Sequence, residues 1–148
     1  MKNLFVLLAL CLSFSFLSAQ SNSDKAGVEK ACMNYIEGFY EGDTNKLKTC
    51  LQPTLNKFGF WKNDDNKTFR QVAHMSFDQA LNYAKNVLEK KEFPKADAPK
   101  KVEVLDIGNK IASAKVTAWW GIDFMLLSKR GDKWMIEQVL WEGPYKEE

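Results

Sequence analysis

The spacing of apolar residues changes once along this chain, at Pro99, and that change restricts its architecture more than any other feature. Before it, apolar positions recur at helical spacing; after it, they recur at every second residue. Val28, Ala31, Cys32, Tyr35, Ile36, Phe39 and Tyr40 form one stripe on an otherwise charged segment, which predicts a first helix from Ser23 onward. Gly42 stops that helix because it tolerates positive φ. Asp43 is then placed to cap a short second helix that carries Leu47, Cys50 and Leu51 inward and ends at Pro53. Residues 54–69 mix Leu55, Phe58, Phe60 and Trp61 with a polar tip, reading as a short strand or extended edge followed by a loop. Ser76 and Gln79 form a capping box, with Met75 and Ala80 placed as a hydrophobic staple. They open a third helix along Ala80, Leu81, Ala84, Val87 and Leu88 that ends before Phe93-Pro94. Beyond Pro99, residues 102–107, 111–121, 122–129 and 134–141 are rich in β-branched and aromatic side chains. Gly108-Asn109 and residues 130–132 supply turns between them.

Three helices followed by a run of strands predict a segregated α+β domain rather than alternating βαβ units. The helices are expected to cover one face of a strongly curved antiparallel sheet, whose long strands bend at glycine and enclose a cone-shaped space. With 45% hydrophobic and 13% aromatic residues, the chain has enough apolar surface for one core, and no linker divides residues 20–148 into two.

Residues 1–19 are read separately, as a signal peptide. Lys2 precedes an apolar run over residues 4–17 and then Ser18-Ala19-Gln20, so cleavage is expected after Ala19 and the mature chain is expected to be secreted or periplasmic. The run is shorter than the roughly 20 residues that span a bilayer, so no membrane partner is expected. A formal charge of +2 gives no field to attract nucleic acid. Removal of the leader leaves Cys32 and Cys50, an even pair that reads equally well as a disulfide or as two buried thiols. Asn66-Lys67-Thr68 fits a glycosylation sequon.

The helix-one ending YIEGFYEGDTNKL and the block VEVLDIGNKIASAKVTAWWGIDFMLLSKRGDKWMIEQVLW carry a further signal over nearly the whole mature chain. They resemble the nuclear transport factor two-like superfamily and are most similar to its small secreted, lumazine-binding-like members. The resemblance implies the cone-shaped fold, whereas that scaffold hosts isomerases, dehydratases, cyclases, carriers and interaction modules alike. Set against the ketosteroid isomerase branch, Tyr35 and Asp123 fall at the two positions of its oxyanion hole. The proton-shuttling aspartate would fall near Gly59 or Phe60, neither of which is a base, so that constellation is incomplete.

The candidate ligand-binding residues are Tyr35, Phe39, Trp61, His74, Trp119, Asp123 and Trp141. Asp123 in an apolar hollow can remain protonated and donate, with Tyr35, to a ligand carbonyl. An inward Asp123 sends Trp119, Gly121 and Met125 the same way by strand alternation, and Trp120, Ile122 and Phe124 to the other face. Trp119 and Trp141 are candidates to stack on a flat ligand, although tryptophans also simply fill cores. Glu137 reads as a solvent-facing strand carboxylate. His74 is the single histidine, so neither a metal site nor a Ser-His-Asp arrangement can be assembled around it, and nothing calls for a cofactor.

These residues point to a secreted protein that binds a small apolar or heterocyclic molecule in an aromatic pocket. The alternatives are an isomerase, dehydratase or cyclase using Asp123 or His74 as acid or base, and a dimerisation or interaction module without ligand. Apolar residues on both faces of the sheet predict a homodimer through the outer face.

Overall fold

The computed structural model describes the backbone of residues 2–65 and 67–144 and the side chains of 22–65 and 67–144. The side chains of the expected leader and Asn66 of the sequon lie outside the described residues. Helix α1 (Lys2–Glu41) is followed by α2 (Thr44–Cys50), strands β1 (Leu51–Lys62) and β2 (Phe69–Met75), and helix α3 (Phe77–Lys90). Strands β3 (Lys101–Ile107), β4 (Ile111–Ala118), β5 (Gly121–Arg130) and β6 (Lys133–Gly143) complete the order. Among the described residues no helix is long and apolar enough to cross a membrane.

The elements form for the local reasons their sequences give. Every residue of the predicted α1 stripe, from Val28 to Tyr40, is buried. Asp43 caps α2 by accepting from the backbone N–H groups of Asn45 and Lys46 at 2.8 and 3.2 Å. Ser76 and Gln79 close a reciprocal capping box on α3, and Lys91 ends that helix in the left-handed conformation.

The six strands make one curved, unclosed sheet in the order β2-β1-β6-β5-β4-β3. Neighbours pair antiparallel except β1 and β6, which run parallel, so the sheet is mixed rather than wholly antiparallel. The parallel pairing arises because β1 enters the sheet directly from α2 and the chain returns beside it only at its end. The extended edge expected over residues 54–69 is a 12-residue strand that starts earlier, at Leu51, and is hairpinned to β2. Strand β2 is an exposed edge with no alternation of buried and exposed residues, so its sequence carries no strand period.

One corner departs from simple alternation. Strands β4 and β5 are separate, joined by a two-residue turn at Trp119-Trp120, with Ala118 opposite Gly121. Gly121 has φ 145°, and a Cβ there would lie 1.9 Å from the Glu142 carbonyl oxygen, so only glycine lets β5 start against β6 at this point. The core lies between α1, α2 and α3 and the inner sheet face, where Met125, Leu127, Ile136 and Val139 meet Val28, Cys32, Tyr35 and Ile36.

Candidate functional site

Alternation along β1 buries Leu55, Lys57 and Gly59 on the inner face and leaves Phe58 and Phe60 on the other. Lys57 is therefore a charged side chain delivered into an apolar interior, 7% exposed. Its Nζ donates to the Tyr35 Oη at 2.6 Å and stands 3.7 Å from Asp123 Oδ2. Tyr35 Oη in turn donates to Asp123 Oδ2 at 2.7 Å, and the indole Nε1 of Trp120 donates to Asp123 Oδ1 at 2.9 Å. Each carboxylate oxygen thus accepts one hydrogen bond, and Asp123 is completely buried.

The ammonium also sits against aromatic faces, 5.3 Å from the Trp141 ring centroid, 5.4 Å from Tyr35 and 6.0 Å from Trp120. Those faces attract a cation through their quadrupoles, which partly replaces the water it has lost. Burial nonetheless drives the Lys57 amine below its ordinary value of 10.5, against the opposing pull of Asp123. Burial, reinforced by Asp123, holds the Tyr35 hydroxyl well above 10.0, so Tyr35 stays protonated.

These groups form the floor of a cavity of about 180 Å³ walled by Phe39, Trp61, Met75, Tyr83, Trp119, Trp120 and Trp141, with Tyr35 and Lys57 reaching into it. Phe39 meets the rings of Tyr35 and Trp120 edge-on at 5.0 and 5.8 Å, and Trp61 meets Trp141 at 6.1 Å. These rings hold one another at fixed angles, so the walls are preformed. A space of this size suits a small ring system, since a cavity of about 150 Å³ accommodates benzene.

Of the residues singled out from the sequence, Tyr35, Phe39, Trp61, Trp119 and Trp141 line this cavity. Asp123 lies beneath it rather than on its wall. Both of its oxygens accept hydrogen bonds from protein donors, Oδ2 from Tyr35 and Oδ1 from Trp120, and Lys57 stands beside it. His74 lies elsewhere: Met75 points into the cavity, and alternation along β2 turns His74 away, stacked on Phe58 at 4.8 Å and bonded to Asn56 at 2.9 Å. Trp119 and Trp120 exchange the parts that continuous alternation gave them. Trp120 turns inward to Asp123, while Trp119 is 43% exposed at the rim, because the turn interrupts the strand. Glu137 pairs with Ser128 and Arg130, away from the cavity.

Lys57 itself was missed. Its signal is the register Leu55, Lys57, Gly59, Trp61, in which a lysine shares a face with residues that must be inside. Cys32 and Cys50 are buried free thiols, and burial pushes Cys32 up to about 12.

A sequence profile for a family described as "Putative lumazine-binding" matches residues 23–142. No curated protein matches the chain. Among solved structures, an NTF-2 like protein of unknown function from Silicibacter pomeroyi superposes with a TM-score of 0.62. It is 13% identical, over 82% of this chain and 96% of the other. An NTF2-like protein of unknown function from Methylobacillus flagellatus gives 0.59 at 18% identity, over 80% and 90%. A hexachlorocyclohexane dehydrochlorinase gives 0.52 at 9% identity, over 83% and 86%. At these identities the structural likenesses establish the fold, which is nuclear transport factor two-like.

Proposed function

The chain belongs to the lumazine-binding family, and on that premise we propose that it is an exported binding protein for a small planar ring compound bearing a carbonyl oxygen. The observation that carries this reading is Lys57. It is the cationic member of an otherwise aromatic and aliphatic wall, and among the described residues its Nζ donates to the Tyr35 oxygen and stands 3.7 Å from Asp123 Oδ2, with its remaining direction toward the cavity. A ligand that fills the cavity must offer an acceptor to that remaining N–H direction or leave a buried donor unmet, at a cost of about 1–3 kcal/mol. Lys57 and Asp123 already balance in charge. A carboxylate ligand would bring a second anion into a poorly solvated space, so a neutral carbonyl is the better match. Tryptophan faces favour a flat ring over a branched chain.

Titration with planar heterocycles carrying ring carbonyls should quench the fluorescence of the wall tryptophans saturably, and Lys57→Met should weaken binding by about tenfold or more. A panel that produces no saturable change in the wild-type protein would sink the proposal. The isomerase reading has less support, because Asp123 is committed to Tyr35 and Trp120 and residues 59 and 60 supply no base.

Export rests on residues 1–19; N-terminal sequencing of the protein recovered outside the cytoplasm should begin at Gln20. The same proposal includes an isologous dimer. Phe124, Leu126 and Leu140 project 53%, 54% and 39% exposed from neighbouring strands on the outer face. Contiguous apolar surface of this kind favours a second copy of the chain.

A further inference from the structure

Lys57 offers more than a hydrogen bond. Its amine is buried from bulk water yet forms part of the cavity wall, so only a molecule that enters the cavity meets it. The groups around it form an ordered proton path: Nζ donates to Tyr35 Oη, and Tyr35 Oη donates to Asp123 Oδ2. If each proton moves one place along this path, ammonium, tyrosine and carboxylate become amine, tyrosine and carboxylic acid. No charge enters or leaves the site. Burial favours the neutral amine at Lys57, since a buried ammonium has lost its water.

We propose that Lys57 is a carbonyl-capturing nucleophile, which condenses with a small aromatic aldehyde seated in the cavity to form a Schiff base. This rests on the reading of the cavity as a ligand site and adds covalent chemistry to it. The Nζ lone pair attacks the carbonyl carbon, and the C=O electron pair moves to oxygen, which takes a proton delivered through Tyr35 from Asp123. The resulting carbinolamine loses its hydroxyl together with one N–H hydrogen, as one molecule of water. Amine, carboxylic acid and aldehyde thus give an iminium ion, a carboxylate and water, with atoms and charge conserved. Asp123, regenerated as the anion 3.7 Å from the nitrogen, balances the iminium. Tyr35 is a positioning and proton-relaying residue, and the aromatic wall limits the water that would reverse the step.

The test uses the intact protein, benzaldehyde and sodium cyanoborohydride, which reduces the iminium to a stable benzyl amine, followed by peptide mass mapping. Benzyl alcohol, which cannot condense, reports occupancy of the cavity by tryptophan fluorescence. Each unit by which burial lowers an amine's pKa raises its neutral fraction about tenfold near neutrality. With its amine lowered by burial and facing the seated aldehyde, Lys57 should be benzylated several-fold ahead of exposed lysines such as Lys85, with benzyl alcohol competing. Tyr35→Phe should slow benzylation by a larger factor than it weakens benzyl alcohol binding, and equal losses in the two would remove the relay role. If benzyl alcohol binds but labelling follows surface exposure, with Lys57 among the slowest, the covalent proposal is overturned and the ligand site stands. If benzyl alcohol does not bind and Lys57 is not labelled, both fall.

Discussion

Asp123 is the residue on which the site's electrostatics turn, because a fully buried carboxylate survives only with its lone pairs and its charge answered. Tyr35 and Trp120 answer the lone pairs, and Lys57 answers the charge. Lys57→Met removes the charge partner and should cost about 3–5 kcal/mol in urea denaturation. The double variant Lys57→Met with Asp123→Asn, which removes both charges, should recover much of that loss. A double variant no more stable than the single one would show that the two residues are not a coupled pair. Linkage gives the pH dependence. The folded amine sits below its ordinary 10.5, so in the interval between the two values the unfolded chain holds a proton that the folded chain has released. Stability therefore rises with pH across that interval. The stability of the wild type relative to Lys57→Met should increase as pH approaches 10.5, and a difference that declines would contradict the buried assignment.

At the scale of elements, the joint between β4 and β5 decides which tryptophan becomes part of the site. A two-residue turn removes Trp119 and Trp120 from strand alternation, and Gly121 makes the turn possible by its positive φ and its contact with Glu142. Gly121→Ala should cost several kcal/mol, combining about 1–3 for backbone strain with about 1–3 for the clash, and should disturb the Trp120 bond to Asp123. Thermal unfolding with near-ultraviolet circular dichroism would register both effects. By contrast, Ser76→Ala removes only the α3 cap and should cost about 1 kcal/mol without altering ligand affinity. The α3 cap was legible because capping is local chemistry. Strand β2 was not, because an exposed edge strand needs no apolar alternation and takes its register from β1.

On the scale of the whole molecule, the curved sheet presents two apolar faces, and the helices cover only one. Sedimentation of the wild-type protein should show a dimer, and Phe124→Lys combined with Leu126→Lys should yield a monomer. Both residues lie on the sheet face opposite the cavity, so the monomer should still quench with ligand. A wild-type monomer at high concentration would remove the dimer from the proposal. The free thiols test the interior in the same preparation: Cys32 and Cys50 should resist alkylation until the chain is unfolded and then react together.

The sequence alone determined the order of the three helices and of the strands after Pro99, the buried stripe of α1, the capped start of α3 and the aromatic character of the interior. Each of these is written in residues a few places apart, through 3.6- and 2-residue periods and side-chain caps. Tertiary structure decided the parallel pairing of β1 with β6, the inward turn of Trp120 and the meeting of Lys57 with Tyr35 and Asp123. Those three residues lie 22 to 88 positions apart from Tyr35 outward, on three different elements. No local period encodes which of them will share a cavity, because that depends on strand register and turn geometry across the whole sheet.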